Sequence, residues 1–264
     1  MARHTDAGTK TNGRRSAAGT ADAPAFYIRG RGRWRDIRAV LHPPYTAWHL
    51  SYVVIGAVSG SRFSWSVLGV TLAAFFLAVG IAAHALDELR GRPLRTELST
   101  SSLVTASVVG VTGAVALGIV GTFRVGPWLL VFIGVGAALV VLYSLELFGG
   151  LIHNDLGFAL AWGGFPVLTA AFAENRSVPI AAVVLAAAAT FLSAAQRALS
   201  TPARALRRRT ALVEGRVVRS SGAEEALDRA TILAPLERAL RYLAWATVAL
   251  AAGLLMARAL HWNW

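Results

Sequence analysis

Residues 101–150 read SSLVTASVVGVTGAVALGIVGTFRVGPWLLVFIGVGAALVVLYSLELFGG. Two apolar runs, 101–122 and 127–148, are parted by Arg124 and the Gly126-Pro127 pair, and the only other charge is Glu146. About 20 apolar residues carry a helix across the hydrocarbon core of a bilayer, so either run is long enough to span it. The apolar residues form continuous runs instead of a stripe, and they do not alternate with polar ones as the strands of a membrane β-barrel would. With no water to satisfy backbone groups, the remaining solution is the helix. The fold class expected is an all-α, polytopic transmembrane helical bundle.

Working outward, further runs at about 45–60, 66–86, 157–174, 178–198 and 240–260 bring the expectation to about seven membrane helices. Composition agrees: 55% of the 264 residues are hydrophobic and 15% charged, against about 25% charged in soluble domains. The chain has no cysteine, which removes disulfides, thiolate catalysis and Cys-ligated zinc. The first apolar run starts only near residue 45, unlike a cleavable signal peptide. Small residues on the third to sixth helices suit close helix packing.

The net charge of +12 is explained by topology, without nucleic acid. Residues 1–41 carry nine Lys/Arg, the connection after the second helix carries Arg90, Arg92 and Arg95, and the one after the sixth carries seven, among them the run ARALRRR at 203–209. The intervening connections carry one each, Arg62, Arg124 and Arg176. Positive residues collect on the cytoplasmic side. The expectation is therefore a multi-pass cell-membrane protein, N-terminus cytoplasmic and C-terminus outside. Residues 1–41 read as a disordered basic tail ending in an interfacial segment, 42–198 as a six-helix core, 199–239 as a basic cytoplasmic loop and 240–264 as the last helix. Within that loop, 222–242 has helical period with acidic residues first, which predicts a surface helix interrupted near Pro235. Trp128, Trp162, Trp262 and Trp264 read as an interfacial belt, and ARALRRR as a topology and headgroup signal.

Ionisable residues within membrane spans mark functional sites by default. Here they gather at the helix ends assigned to the cytoplasm: His42 and His49, then His84, Asp87 and Glu88, then Glu146, His153, Asn154 and Asp155, and finally Gln196 and Arg197. His84, Asp87 and Glu88 stand at i, i+3 and i+4, one helical face, a combination of imidazole and carboxylates able to hold a divalent cation. Glu146 and His153 are seven residues apart, with Gly149-Gly150 placed to end the helix between them.

Two stretches carry a family resemblance. HALDELRGRPLRTELS, 84–99, and LYSLELFGGLIHNDLGFALAWGGFPVLTAAFAEN, 142–175, together resemble the UbiA superfamily of intramembrane prenyltransferases: Arg92, Pro93, Leu94 and Ser99 follow the first acidic motif in the family's order, and Tyr143, Gly164 and Pro166 fall on its fourth and fifth helices. The chain departs from the pattern in several places. His84 occupies the second position of the Asn-Asp-x-x-Asp motif, with Asp87 kept at its last. Glu146-Leu147 stand at the basic pair, and AQRALSTPARALRRR replaces the second acidic motif. Seven helices are counted where nine are usual. The resemblance implies a UbiA-like bundle acting on an isoprenoid or similar apolar lipid, with a divalent metal, magnesium or another. Its candidate catalytic residues are Asp87, Glu88 and Glu146. Candidate substrate contacts are His49, Arg92, Tyr143, Gln196 and Arg197, and candidate metal ligands are His84, Asp87, Glu88, His153 and Asp155. The departures predict weak prenyl-diphosphate binding, because a carboxylate at Glu146 would repel the diphosphate. The competing expectation is a non-enzymatic transporter or lipid-binding partner protein using an intramembrane Glu146. An enzyme needs the ionisable groups around one cavity, whereas a transporter needs a polar path onward to the other side.

Overall fold

A computed structural model describes residues 23–28 and 30–261. Residues 1–22 of the basic tail expected to be disordered, and Trp262 and Trp264, lie outside them. A short helix α1 (Arg33–Leu41) leads into α2 (Pro43–Ala57), whose two opening prolines occupy positions where the helix needs no N–H. Then follow α3 (Trp65–Leu89), α4 (Thr100–Val125), α5 (Leu129–Ser144), α6 (Asp155–Asn175) and α7 (Ile180–Arg208). A hairpin of β1 (Glu214–Val218) and β2 (Glu224–Asp228) precedes α8 (Arg229–His261).

Five of these, α3, α4, α6, α7 and α8, are long and apolar enough to cross a membrane, and α5 is a shorter apolar helix. Their outer faces are apolar too: Phe123 is 86% exposed and Phe191 76%. Water would make such surfaces unfavourable, whereas lipid accepts them. The chain is a multi-pass helical membrane protein.

α2 lies at the centre, packed against α6 and α8, and α7 packs against α6 and α8. Glycines allow the closest approaches. A Cβ on Gly56 would collide with the Val167 backbone, and one on Gly163 would meet the Ala189 carbonyl at 2.5 Å. The central cluster is Trp48, Tyr52, Ile55, Val167, Ala186 and Ala189, closed by Ala244 and Ala251 of α8.

Two helices are not uniformly α-helical. α3 widens to a π-helical stretch at Phe76–Ala83 and α6 at Leu160–Gly164. Both stretches supply residues to one buried cluster, Val79, Ala82 and Ala83 from the first and Ala161 and Trp162 from the second, together with Tyr143 of α5. Wide turns of this kind concentrate at functional sites.

Three differences from the sequence reading have physical causes. Residues 224–228 are a strand, not part of a surface helix: they pair antiparallel with 214–218, Arg216 binding Glu224 at 3.0 Å and Arg219 binding Glu225 at 2.5 Å across the pair. Gly222, at φ +82°, makes the turn. Pro235 interrupts nothing; it sits within a continuous α8, where it removes one N–H near the helix start. The interfacial segment before α2 is docked rather than floating: Asp36, 4% exposed, binds Arg35 at 2.7 Å and accepts the Glu97 N–H at 2.9 Å. The disposition of Trp162 also differs from an interfacial belt, since it is buried in the π-helical cluster, while Trp128 is exposed.

Candidate functional site

At the end of the bundle where α3 finishes and α6 begins, a cavity of about 450 Å³ opens between α2, α3, α5, α6 and α7. Ligand pockets commonly fall between about 300 and 1,000 Å³. Of the residues singled out from the sequence, His49, His84, Asp87, Tyr143, Glu146, His153 and Arg197 all line it, as does His42. Their convergence follows from the ends of four helices meeting at one depth.

Each is held in place by a neighbour. His42 stacks on His84 with ring centroids 4.3 Å apart, and its Nδ1 shares a hydrogen bond of 2.8 Å with the Tyr27 hydroxyl. Burial, then the neighbouring His84 and the arginines 208 and 204, hold the His42 imidazole well below the ordinary histidine range, so it is neutral at neutral pH. His49 Nδ1 bonds the Tyr45 carbonyl at 2.7 Å, and its ring meets Trp162 edge-on. Arg197 is gripped on three sides: Asp155 at 2.9 Å, the Tyr143 hydroxyl at 2.9 Å, and the Phe158 ring beneath its guanidinium at 5.2 Å. The tyrosine in turn stacks on His153, centroids 4.4 Å apart.

Glu146 does not lie bare in the bilayer. The chain leaves α5 in a run of left-handed residues, Glu146 at φ +49°, Phe148 at +55°, Gly149 at +69° and Gly150 at +75°. That turn ends the helix and folds His153 back to 3.8 Å from Glu146. Arg90, arriving from the loop after α3, binds the carboxylate at 3.0 Å and also the Leu145 carbonyl. Both partners are about two-fifths exposed, and such pairs contribute about 0–1 kcal/mol. Glu146→Gln is therefore expected to leave the thermal midpoint within about 2–4 °C of the wild type in detergent. A larger drop would mean that the pair holds the α5–α6 turn together.

Four expectations are corrected. Glu88 does not share the cavity with His84 and Asp87. Its side chain turns under the 90–99 loop, fully buried, accepting N–H bonds from Leu94 at 2.9 Å and Thr96 at 3.0 Å and the Thr96 hydroxyl at 2.8 Å. Arg92, at φ +53°, is likewise a loop residue and donates to the Leu98 carbonyl and the Thr100 hydroxyl. Gln196 is buried away from the cavity wall, with its Oε1 unpartnered. Asp155 is exposed and engaged with Arg197. Among the described residues no three His, Asp or Glu groups come together as a metal-ion site.

The residues the sequence reading passed over are arginines. Arg204, Arg208 and Arg209 of the run ARALRRR line the cavity with Arg90 and Arg197. Their spacing carried the signal. Arg197, Arg204 and Arg208 are seven and four residues apart, and at about 100° per residue they fall within about 20° of one line on α7. Arg207 points elsewhere, into a buried pair with Glu237 of α8. Five arginines thus face two lining carboxylates, Asp87 and Glu146, and Glu146 already has Arg90. The cavity is basic.

Below it lies a second, apolar hollow of about 190 Å³ between α3, α4, α5 and α6, walled by residues such as Ala78, Gly118 and Ala137. Val79 and Trp162 line both spaces. The hollow ends at Ser66 and Arg124, and Arg124 is the one ionisable residue among those lining it. From Val79 back to Ser66 is thirteen residues of α3, so the groove runs about 20 Å at a rise of about 1.5 Å per residue. No family model, curated protein or solved structure matches the chain.

Proposed function

We propose that this protein binds an isoprenoid-type lipid with a phosphate-class head, and acts on it as a prenyltransferase-like membrane enzyme. The observation that supports this is the meeting of a basic cavity and an apolar groove at Val79 and Trp162, the division of chemistry that an anionic head and a long hydrocarbon tail require. The groove is about 20 Å long, more than one leaflet's share, about 15 Å, of a hydrocarbon core about 30 Å thick. A tail lying in it would pass the midplane.

In this reading the head is held by arginines. Guanidinium groups bind phosphate oxygens in a planar, often paired geometry, and at the cytoplasmic end of the site they would stabilise negative charge developing on a departing head. The rings of Trp162, Tyr143 and Phe158 sit where the tail joins the head, and aromatic faces favour positive charge developing on the tail carbon. Asp87, His49 and His84 are the cavity groups available to accept a proton from an acceptor. Among the described residues no three His, Asp or Glu groups form a ready metal site, so every step of this scheme is carried by the chain's own side chains.

The scaffold we propose is UbiA-like with seven crossings, α2 to α8, N-terminus in and C-terminus out, supported by the stretches 84–99 and 142–175 and by the arginine-rich connections at the cavity end. Transport through Glu146 is the weaker reading. Past Trp162 the lining carries only Thr71 and Thr169 as polar residues until Ser66 and Arg124, with no ionisable group to relay a proton or cation.

The test is a tryptophan-fluorescence titration of the purified protein in detergent, with Trp162→Phe compared to assign the change among the chain's eight tryptophans. Against the weak binding expected from Glu146 alone, whose charge Arg90 offsets, a prenyl diphosphate is expected to bind at least tenfold more tightly than the prenyl alcohol or inorganic diphosphate, and to do so in a chelator. Equal affinity for the alcohol would remove the head from the argument, and equal affinity for inorganic diphosphate would remove the tail.

A further inference from the structure

The membrane side opposite the basic cavity has few arginines. The three connections there carry one each, Arg62, Arg124 and Arg176. All three line a single cavity of about 530 Å³ formed by the ends of α3, α4 and α6. Topology calls for scarcity on that side, not for assembly at one point, so their convergence needs another cause.

The cavity is built rather than incidental. Arg124 reaches the Ser66 hydroxyl at 2.9 Å, and Arg176 donates to the Arg124 carbonyl at 2.6 Å, so both guanidinium groups are oriented by neutral oxygens. The Arg62 N–H is fixed by the Asn175 side chain at 3.0 Å, and the Ser64 N–H by Glu174 at 2.7 Å. Glu174 is the one carboxylate lining the cavity; it is 7% exposed, and Arg258 lies close enough to offset its charge. The balance facing outward is positive. The cavity shares Val67, Arg124, Val125 and Ala173 with the apolar groove, so a head placed here would have hydrocarbon-compatible space directly beneath it.

We infer that this cavity is a second lipid site, taking the phosphate head of an anionic phospholipid from the leaflet opposite the basic cavity, with one acyl chain entering the groove from that end. The three arginines more than balance the single negative charge of one phosphodiester, and the shared apolar wall distinguishes a lipid from a free anion. Its head site stands on residues other than those of the basic cavity, and only the groove between the two is shared.

The experiment is native mass spectrometry of the delipidated full chain with added phosphatidylglycerol. The wild type is expected to retain one lipid that millimolar inorganic phosphate does not displace. Arg62→Gln with Arg176→Gln is expected to weaken retention at least tenfold, and Arg62→Lys with Arg176→Lys to keep most of it, which separates loss of charge from loss of fold. Prenyl-diphosphate binding at the other end is read in the same variants before phospholipid is added, with the shared groove empty, and is expected to stay unchanged, so either site can fail alone. Unchanged lipid retention in the glutamine variant would overturn the inference. Full displacement by inorganic phosphate would overturn it as well, by showing that the arginines recognise a free anion.

Discussion

Arg204→Gln combined with Arg208→Gln is expected to weaken prenyl-diphosphate binding by about a hundredfold to ten-thousandfold. A hydrogen bond to a charged group contributes about 1.5–3 kcal/mol, two of them about 3–6, and each 1.4 kcal/mol is a factor of about ten in affinity. Both side chains line the cavity and are lightly engaged within the protein, Arg204 with the Thr201 hydroxyl at 3.3 Å and Arg208 with the Pro24 carbonyl at 3.1 Å. The fold should tolerate the change. Arg207→Gln is the contrasting control: it leaves Glu237 buried without its partner and should lower stability while sparing affinity. A double variant that binds as the wild type does would mean the arginines serve topology alone.

Glu88→Ala is expected to cost about 3 kcal/mol or more, a fall in thermal midpoint of roughly 6–12 °C at about 2–4 °C per kcal/mol. The carboxylate is fully buried and accepts three hydrogen bonds from Leu94 and Thr96, and its removal strands those donors in the interior. The 90–99 loop would loosen, and with it Arg90 and Pro93 at the cavity wall. Asp87→Asn, one residue earlier, is expected to leave the midpoint nearly unchanged and to alter turnover or binding instead. If Glu88→Ala keeps the wild-type midpoint and loses only activity, Glu88 belongs to the chemistry after all.

The membrane fold was legible because the bilayer allows so few alternatives. Unbroken apolar runs located α3, α4, α6, α7 and α8 before any packing was known. The candidate site was legible to the level of membrane depth, since polar residues at helix ends have nowhere else to gather. Direction around the helix axis was not. Glu88 was placed with His84 and Asp87 by spacing alone, yet a loop that folds back over the helix offered it three donors, and no local pattern announces a loop's return path. The hairpin at 214–228 was hidden for a related reason: EEALD has good helix formers, and only its pairing with EGRVV makes it a strand. The arginine stripe was visible at seven-and-four spacing but carried a simpler explanation, and only the cavity it faces distinguishes the two.

The wide turns in α3 and α6 have a consequence for how such a protein can change. A π-helical stretch amounts to one residue added to an ordinary helix, so it works as a rotational offset of about 100° between the segments on either side. In α3 the offset lies between the half that walls the apolar groove and the end bearing His84 and Asp87. Removing one residue near Gly80 would restore a plain helix of nearly the same length and hydrophobicity. The chain would still insert, but His84 and Asp87 would swing away from the arginines of α7, and Glu88 away from the 90–99 loop it holds. A single-codon deletion could thus disconnect the polar end from the tail groove while leaving membrane insertion intact, and the reverse insertion could create such a site on a helix that had none.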